Sequence, residues 1–309
     1  MDKLFLTGAS GCVGHYLMDE LVGKYELYIL IRNPSKMLFD PTKLPNVHLI
    51  HGDLNNIAAQ AELLSQMDYC VHVATSWGGE AAEQINVKKT HELFSLLSPH
   101  GIKRVIYFST ASILGRGNRQ LPEAESFGTD YVRSKYRCYK ILNQSPVYSK
   151  TVTVFPTLVF GGSQKHPFSH LSSGLPAARR YSWLLGRINI DAAFHFIHAQ
   201  DIARIVGHLL QLEDTNANYV LGNAPLNFKE FVTRTANYFG KNPRWQITFT
   251  PKWLCRIGSL FGAQISPWDR FCMKYKDFRY ETVNCQTFDL PSNYSTVEEV
   301  LADWKLAPN

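Results

Sequence analysis

A glycine-rich turn near the N-terminus constrains the fold of this chain more than any other feature. Residues 7–14 read Thr-Gly-Ala-Ser-Gly-Cys-Val-Gly, after the apolar run Leu4–Thr7 and before a stretch in which Val13, Leu17 and Leu21 share one helical face. The first glycine permits a tight turn, the second lets an anion approach the backbone, and the third lets the helix pack closely on the strand. Free N–H groups at a helix start attract phosphate. The motif therefore predicts a strand, a phosphate-binding turn and a helix.

The hydrophobic pattern of the first half predicts the sheet to which this strand belongs. Short apolar runs alternate with amphipathic stretches, which is typical of strand–helix–strand units around a parallel sheet buried on both faces. The predicted strands are Leu4–Thr7, Leu27–Ile31, Val47–His51, Tyr69–Val73, Val105–Ser109 and Val152–Phe155. Right-handed crossovers between them give an α/β fold with a doubly wound parallel sheet of the Rossmann type.

The pattern changes after residue 162 and predicts a second region. Prolines, paired basic residues and aromatic side chains interrupt it, and a strand at Phe194–His198 and a helix at Asp201–Leu212 follow. We expect a dinucleotide-binding domain and a smaller C-terminal substrate lobe. The predicted boundaries are 1–165 with 194–213 returning for the first, and 166–193 with 214–309 for the second.

Composition and charge narrow the class of protein. The 309 residues are 45% hydrophobic, which excludes a disordered chain, and the net charge of +6 is scattered without the long basic runs of a nucleic-acid arm. The six cysteines form no Cys-x-x-Cys pair, so we expect reduced thiols and no metal site. The sequence shows neither a signal peptide nor the ~20 apolar residues of a membrane span. We therefore expect a cytoplasmic protein whose partner is a small-molecule substrate and not a nucleic acid.

The residue that closes the second predicted strand bears on the choice of cofactor. In a dinucleotide-binding fold, an acidic residue about 20 positions beyond the glycines binds the free ribose hydroxyl of NAD. Here Arg32 takes that position, and Lys36 follows across the turn-forming pair Asn33-Pro34. Two cations suit a 2′-phosphate through charge-assisted hydrogen bonds. The pattern predicts NADP(H), with NAD as the alternative if both cations are solvated surface charges.

Two further strand ends border the predicted cofactor site. Asp53 and Leu54 close the third strand, where Asp53 would accept a hydrogen bond from the adenine amino group and Leu54 would pack on the ring. A helix N-cap is the competing role for Asp53, and the two roles are not exclusive. Ala74 and Thr75 end the fourth strand, where small side chains permit a close approach of the cofactor to the backbone.

A tyrosine and a lysine four residues apart supply the candidate chemistry. Tyr131 and Lys135 share one face of a predicted helix. A phenol with a pKa near 10 is a poor acid or base at neutral pH, and a nearby cation stabilises its phenolate. A hydroxyl from Phe108–Gly115 would hold the substrate oxygen while Tyr131 transfers a proton to it. Taken alone, the pair is better explained as a surface helix pair, and the preceding glycine motif favours the catalytic interpretation.

Together these motifs resemble the extended short-chain dehydrogenase/reductase family over nearly the whole chain. The matching segments are residues 7–14, Asp53-Leu54, His72-Val-Ala74, Asn86-Val87 with Thr90, Thr110, Tyr131, Lys135, Pro156-Thr-Leu-Val159 and His198–Ala203. The resemblance implies that Thr110 orients the substrate oxygen, that Asn86 supports the site, and that the Pro156–Val159 backbone fixes the nicotinamide amide. The predicted catalytic residues are Thr110, Tyr131 and Lys135. The predicted cofactor-binding residues are Thr7, Gly8, Gly11, Cys12, Val13, Gly14, Arg32, Lys36, Asp53, Leu54, Ala74, Thr75, Tyr131, Lys135, Pro156 and Val159.

Departures from the family's patterns narrow the predicted activity. Family dehydratases carry Asp-Glu after the strand-five hydroxyl, whereas this chain has Ala111-Ser112, and residues 155–162 resemble the branch of ketone reductases and hydroxysteroid-type dehydrogenases. The predicted reaction is hydride transfer between NADP(H) and a carbonyl or secondary alcohol of a largely apolar small molecule. An ordinary core position is the alternative for each aromatic candidate, and a merely local role is the alternative for the serine. The candidate substrate-binding residues are Trp77, Ser112, Trp183, Phe194 and Trp253.

Other hypotheses fit parts of the sequence. A nucleotide-sugar epimerase of the same family would use Arg179, Arg180 or Arg187 on a diphosphate. A non-catalytic NADP-sensing or RNA-binding protein on this fold need not keep the Tyr-Lys pair. The amphipathic segment 253–261 would suit peripheral membrane docking, or equally a helix that covers the substrate lobe. The resemblance also allows a homodimer built from two helices of each subunit.

Overall fold

A seven-stranded parallel sheet lies at the centre of the structure, a computed structural model that describes residues 1–212, 217–242, 245–250, 266–276 and 278–303. Its strands are β1 (Lys3–Thr7), β2 (Glu26–Ile31), β3 (Val47–His51), β4 (Tyr69–His72), β5 (Arg104–Phe108), β6 (Thr151–Pro156) and β11 (Asn218–Leu221). Short strands pair outside it: β7 (Leu158–Phe160) with β10 (Phe196–His198), β8 (Ile188–Ile190) with β13 (Ile247–Phe249), and β9 (Ala193–Phe194) with β12 (Leu226–Asn227).

Helices cover both faces of the central sheet, and further helices form the C-terminal region. They are α1 (Cys12–Leu21), α2 (Ala61–Leu64), α3 (Glu80–Glu83), α4 (Thr90–Ser95), α5 (Glu123–Ser126), α6 (Asp130–Ile141), α7 (Leu175–Arg180), α8 (Ser182–Leu185), α9 (Ala199–Leu209), α10 (Phe228–Tyr238), α11 (Pro267–Tyr275) and α12 (Val297–Asp303). A π-helical turn, Gln84–Lys89, joins α3 to α4, and short 3-10 turns form at Leu54–Gln60 and Ala111–Ile113.

The order of the strands locates a crevice. The order is β3-β2-β1-β4-β5-β6-β11, so the progression of the chain reverses between β1 and β4. The carboxyl ends of these two strands, Thr7 and His72, are register partners. In doubly wound sheets, ligands bind outside the carboxyl ends of the strands at such a reversal. The glycine turn after Thr7 and the small residues after His72 therefore meet at the place where this fold binds ligands.

Alternation along β1 explains why the predicted strands are continuous apolar runs. Leu4 and Leu6 belong to a core cluster shared with α1 and α9, whereas Phe5 belongs to a second cluster that includes Phe94 of α4. All of these side chains are fully buried. Each stabilises the fold by roughly 1.5–3 kcal/mol relative to exposure, so both faces of the strand select apolar residues.

The seventh strand corrects the predicted domain boundary. The sequence assigns residues 214–309 to the substrate lobe, but β11 pairs in parallel with β6 at the edge of the main sheet. Val220 and Leu221 are buried there. The strand has only four residues, so its apolar run is too short for the sequence to predict its pairing. The later helices α10 and α12 contribute instead to a separate apolar cluster around Phe239 and Leu301.

Two glycines of the turn are required by the space around them. Gly8 has a φ of +81°, and a Cβ on it would lie 2.7 Å from the backbone nitrogen of Ala74. A Cβ on Gly14 would lie 2.1 Å from the carbonyl oxygen of Gly8. The corresponding distance for Gly11 is 3.5 Å, which is ordinary van der Waals contact. Gly8 and Gly14 therefore hold the turn against β4 and α1, while Gly11 remains at the surface.

Replacing Gly14 by alanine should destabilise the protein, because the added methyl group collides with backbone rather than with a flexible side chain. We expect the free energy of unfolding, measured by urea denaturation, to fall by about 1–3 kcal/mol. Gly174→Ala is the control, since no atom lies within 4 Å of a Cβ at that position. The control should change stability by less than about 0.5 kcal/mol. Equal effects of the two substitutions would contradict the packing argument.

Candidate active site

A chain of buried hydrogen bonds fixes the strand ends at the crevice. The Thr7 hydroxyl lies 2.8 Å from Nδ1 of His72, and Nε2 of His72 lies 2.8 Å from the Thr90 hydroxyl. Thr90 donates its own hydrogen to the carbonyl oxygen of Ile85 at 3.0 Å, so it accepts from His72, whose Nε2 carries the hydrogen. Thr7 therefore donates to Nδ1 and accepts from the backbone N–H of Ala74 at 3.2 Å.

This arrangement keeps His72 neutral. Burial and, secondarily, the positive charge of Lys135 lower the pKa of His72 to about 3. A neutral imidazole has one donor and one acceptor, which matches the chain of hydrogen bonds. His72 thus links the ends of β1 and β4 to the helical segment that contains Thr90.

The glycine turn leads into α1 without a capping side chain. Gly11 precedes the helix and makes no side-chain cap, and the first helical turn contains no acidic residue, which suits an anionic ligand. Cys12 faces Gly161, and burial raises the pKa of its thiol to about 12. Val13 packs on the first core cluster. The backbone of the turn, rather than these two side chains, is therefore what a phosphate would contact.

The two predicted phosphate-binding cations lie on one exposed loop. Arg32 and Lys36 follow β2, which neighbours β1 in the sheet. Asn33 accepts a hydrogen bond from the N–H of Ser35 at 3.0 Å and begins the short turn Pro34–Lys36. Neither cationic side chain forms a hydrogen bond or an ion pair with the residues that the structure describes. Both charges are therefore available to an anionic ligand.

The end of β3 confirms one of the two predicted roles of Asp53. Its carboxylate accepts a hydrogen bond from the N–H of Asn55 at 2.8 Å and caps the turn Leu54–Gln60. Contact with adenine stays a prediction. Leu54 is 4% exposed and packs in the core cluster of Phe5, so little of its side chain is available to a ligand.

The π-helical turn presents Asn86 to the loop after β4. Its Oδ1 accepts from the Thr75 hydroxyl at 2.9 Å and from the N–H of Ser76 at 2.8 Å. Its Nδ2 donates to the carbonyl oxygen of Ser76 at 2.8 Å and to the Ser134 hydroxyl at 2.9 Å. All four hydrogen-bonding positions of the buried amide are used. Asn86 thus joins this loop to α6, which is the supporting role that the resemblance implies.

Helix α6 carries a buried lysine. Thr129 caps the helix by accepting from the N–H of Val132 at 3.3 Å. The Lys135 ammonium donates to the carbonyl oxygen of Phe108 at 2.7 Å and lies 5.1 Å from the centre of the Tyr107 ring. Burial lowers the pKa of Lys135 to about 8, so this side chain is a cation at neutral pH. A positive charge is therefore held at the end of β5.

Three hydroxyl groups meet between the end of β5 and the start of α6. Burial raises the pKa of Tyr131 to about 12, and a hydrogen bond with Thr110 opposes this rise. The Thr110 hydroxyl lies 3.3 Å from the Ser112 hydroxyl and accepts from the N–H of Ser112 at 3.3 Å. At neutral pH the phenol keeps its proton, which is the form that can protonate an oxygen. The structure thus brings together the tyrosine and the two hydroxyl side chains singled out from the sequence.

An exposed indole lies against this tyrosine. The rings of Trp77 and Tyr131 stack with centroids 4.6 Å apart and planes inclined by 28°. His170 makes a T-shaped contact with Trp77 at 4.6 Å. Trp77 remains 60% exposed despite both contacts. It therefore presents an aromatic surface next to the phenol.

The predicted nicotinamide-binding segment follows β6. Pro156 ends that strand, and Val159 lies in β7, where it pairs with Ile197 of β10. Between them, Thr157 donates its hydroxyl hydrogen to the carbonyl oxygen of Leu221 at 2.9 Å. Strand pairing and this hydrogen bond fix the backbone that the resemblance assigns to the nicotinamide amide.

The other substrate candidates lie in different surroundings. Phe194 makes a T-shaped contact with Phe231 at 5.6 Å and packs on the apolar cluster of the C-terminal region, a core position. Trp183 is 53% exposed and contacts a guanidinium group rather than Tyr131. Trp253, like the rest of segment 253–261, lies outside the described residues.

Two supporting residues escape detection in the sequence. His170 contacts Trp77 but lies in the irregular stretch after residue 162, where no motif singles it out. Ser134 receives a hydrogen bond from Asn86 and donates one to the carbonyl oxygen of Tyr131 at 2.9 Å. Its spacing of three residues from Tyr131 on a helix was an available signal.

The described side chains and helices also bear on metal binding and on membrane insertion. Across the described ranges, no group of three or more His, Cys, Asp or Glu side chains is arranged to hold a metal ion. No helix in those ranges is both long and apolar enough to cross a bilayer. The cysteines there have free thiols: Cys12, Cys70, Cys138, Cys272 and Cys285.

Comparison with known proteins identifies one family. The family model described as the NAD dependent epimerase/dehydratase family matches residues 4–222. A 2-alkyl-3-oxoalkanoate reductase from Stenotrophomonas maltophilia is 27% identical, and the match covers 84% of this chain and 82% of the reductase. This chain is also 24% identical to an N-acetyl-alpha-D-glucosaminyl-diphospho-ditrans,octacis-undecaprenol 4-epimerase from Escherichia coli O157:H7. That match covers 52% of this chain and 50% of the epimerase.

A solved structure shows the same fold. A dTDP-glucose 4,6-dehydratase from Streptomyces venezuelae with NAD bound has a TM-score of 0.66 and 16% sequence identity to this chain. The match covers 98% of this chain and 99% of the dehydratase. The doubly wound sheet predicted from the sequence is therefore confirmed both by the strand order and by this likeness.

The buried, neutral His72 should make stability depend on pH. In the unfolded chain its pKa is about 6.5, so between that value and about 3 the unfolded state binds a proton that the folded state excludes. This contribution to stability is complete above the unfolded pKa and is lost as pH falls below it, by up to about 1.4 kcal/mol per pH unit. Urea denaturation from neutral to acidic pH should give a shallower dependence for His72→Gln than for the unaltered protein.

The matched control for this measurement is His100→Gln. His100 is exposed, so its replacement should leave the pH dependence of the unfolding free energy unchanged. If His72→Gln kept the full slope, His72 would not be the group that excludes the proton.

Proposed function

Because this chain belongs to the NAD dependent epimerase/dehydratase family and is an NAD(P)-dependent enzyme of the extended short-chain dehydrogenase/reductase type, we propose that it is a carbonyl reductase. It transfers a hydride between NADP(H) and a carbonyl or secondary alcohol of a largely apolar small molecule. The observation that carries the proposal is the meeting of Tyr131 and Thr110, where Thr110 opposes the rise in the pKa of the phenol, with Lys135 buried on the same helix as Tyr131. The three residues lie where β5 ends and α6 begins.

The residues around the crevice fit a dinucleotide. A side chain at Gly8 or Gly14 would collide with neighbouring backbone atoms. Gly11 precedes a helix whose uncapped start suits a phosphate group. Arg32 and Lys36, which have no hydrogen bond or ion pair with any described residue, support a 2′-phosphate and hence NADP(H) rather than NAD. The bound nicotinamide supplies or accepts the hydride at its C4 atom.

Tyr131 is the proton donor in the reductive direction. With a pKa of about 12, the phenol is protonated at neutral pH and can donate while Thr110 holds the substrate oxygen. Its O–H bond breaks as the O–H bond of the product forms, and a proton from solvent later restores the phenol. Lys135, four residues along the helix, is a cation, and a positive charge near the phenol would stabilise the transient phenolate. In the oxidative direction, the same groups act in reverse.

Trp77 supports an apolar substrate. Its exposed indole stacks on Tyr131, so a planar or aliphatic group next to the reacting carbonyl would pack on it. Ser112 adds a second hydroxyl beside Thr110 that can hold the substrate oxygen. The name of the 27% identical relative, a 2-alkyl-3-oxoalkanoate reductase, describes a substrate whose ketone lies between an alkyl chain and a carbon that carries both an alkyl group and a carboxylate.

A nucleotide-sugar epimerase is the second candidate, and one observation favours it. Arg179 and Arg180 are exposed at the end of α7 and could contact a diphosphate. Two assays separate these activities. One measures NADPH oxidation with 3-oxoalkanoate esters and aromatic ketones, and the other analyses the products formed from UDP- and dTDP-sugars. Net consumption of NADPH with a ketone is expected. Sugar interconversion without net NADPH consumption would favour the epimerase instead.

Replacing Arg32 by serine should weaken binding of NADPH and leave NADH nearly unaffected, because only NADPH carries the 2′-phosphate. A hydrogen bond to a charged group contributes about 1.5–3 kcal/mol, so we expect KM for NADPH to rise about tenfold or more. Lys229→Ser removes an exposed cation from α10, outside this loop, and serves as the control. An unaltered protein that already prefers NADH would refute the assignment of Arg32.

Replacing Tyr131 by phenylalanine should lower kcat by about 10²–10⁴-fold, because the variant keeps the ring that Trp77 contacts but lacks the proton donor. Steady-state kinetics with the best ketone of the panel measure this, and fluorescence titration with NADPH shows whether the cofactor still binds. Tyr136→Phe, in the same helix, is the matched control. Unchanged turnover in Tyr131→Phe would remove the basis of the proposed mechanism.

A further inference from the structure

Away from the candidate active site, two segments expose large apolar side chains side by side. Tyr181 precedes the short helix α8, which contains Trp183 and Leu184. Trp245 precedes β13, which begins at Ile247. Their exposed fractions are 47%, 53%, 43%, 57% and 52%, in that order. We call these residues, with Arg180 and Arg187, the aromatic–basic surface.

Strand pairing makes the two segments into one surface. β8 and β13 run in parallel, and the N–H of Ile247 donates to the carbonyl oxygen of Arg187 at 2.8 Å. The Gln246 side chain donates to the carbonyl oxygen of Gly186 at 2.9 Å and to the Thr233 hydroxyl of α10 at 2.8 Å. The exposed side chains are therefore carried on paired backbone that is tied to the lobe.

The arginine side chains of this surface make cation–π contacts with its aromatic rings. The guanidinium carbon of Arg187 is 5.7 Å from the centre of the Trp183 ring and 5.3 Å from that of Trp245. The guanidinium of Arg180 is 5.5 Å from the Tyr181 ring. No ion pair with a carboxylate is found for either arginine among the described residues. Guanidinium groups held in this way keep N–H donors for bidentate contacts with phosphate.

The two stretches of sequence that carry this surface contain no acidic residue, and two of the carboxylates that border them, Asp191 and Glu230, pair with Lys276 and Arg234. Residues 131–190 contain no Asp or Glu, and neither do residues 231–268. The first stretch includes Arg179, Arg180 and Arg187, which flank the aromatic side chains directly. A surface with this local excess of positive charge attracts an anionic partner, which excludes a second copy of the same surface as a favourable one.

We propose that the aromatic–basic surface docks the protein reversibly on an anionic lipid bilayer. Tryptophan and tyrosine favour the headgroup level of membranes, and arginines beside them bind lipid phosphates. Single-stranded nucleic acid also suits arginines and aromatic rings, but the exposed aliphatic side chains of Leu184 and Ile247 gain nothing from base stacking. They gain by insertion among acyl chains. The inference is independent of the reaction assigned to Tyr131.

Flotation with lipid vesicles tests this proposal on the full chain. Vesicles of phosphatidylcholine mixed with phosphatidylglycerol should carry the protein, and vesicles of phosphatidylcholine alone should carry much less. Added salt should weaken binding, because it screens the attraction between arginine and lipid phosphate. Arg180→Glu with Arg187→Glu should lower binding at least tenfold, since each cation near an anionic membrane contributes about fivefold.

A second pair of variants tests the aromatic contribution. Trp183→Ala with Trp245→Ala should lower binding to the mixed vesicles by about tenfold or more, even at low salt. Lys43→Glu with Lys88→Glu makes the same change of charge at exposed positions elsewhere and should retain binding. Thermal unfolding of every variant shows whether it is folded, so that loss of binding reports on the surface.

Three outcomes would overturn the proposal. One is equal binding of all variants to the mixed vesicles. Another is failure of the folded protein to bind them at all. The third is concentration-dependent self-association, seen by light scattering without vesicles and abolished by the Trp183 and Trp245 substitutions, which would assign the surface to a second copy of the chain.

Discussion

The buried hydrogen bonds from Thr7 through His72 to Thr90 are the constraint on which the rest of this structure depends. They connect β1, β4 and the helical segment behind them, in a region where an unsatisfied polar group costs about 1–3 kcal/mol. A protonated imidazole would offer two donors and lose its acceptor for the Thr7 hydroxyl. The neutral form therefore holds the end of β1 in place, and with it the turn in which Gly8 lies against Ala74.

Burial shifts the pKa values of the two titratable groups of the candidate site in opposite directions. It raises the pKa of Tyr131 to about 12 and lowers that of Lys135 to about 8, because each loses water around its charged form. At neutral pH the site therefore holds a protonated phenol and a cation together. This is the charge state that the proposed protonation of a carbonyl oxygen requires.

Local sequence patterns predicted much of the fold. The parts that depend on contacts between distant segments could not be predicted. Apolar runs bounded by turn residues predicted β1 to β6, because the periodicity of a strand and the conformation of a glycine turn depend on residues that are neighbours in the sequence. The cap formed by Asp53 was likewise foreseen from its position after a strand. The pairing of β11 with β6 and the contact of His170 with Trp77 join distant segments, and neither leaves a local signal. The residues of the candidate site were therefore predicted as a set of motifs, whereas the contact of His170 with Trp77 was not.

The two exposed indoles show why residue type alone could not separate a substrate wall from a docking surface. Trp77 and Trp183 are exposed to similar extents, and the sequence assigned both to the substrate. Trp77 contacts the neutral phenol of Tyr131, so its free face favours an apolar group of a substrate. Trp183 shares the guanidinium of Arg187 with a second indole, so its surroundings favour anions beside an apolar phase. The partner that each ring finds through tertiary structure, rather than the ring itself, determines what it can bind.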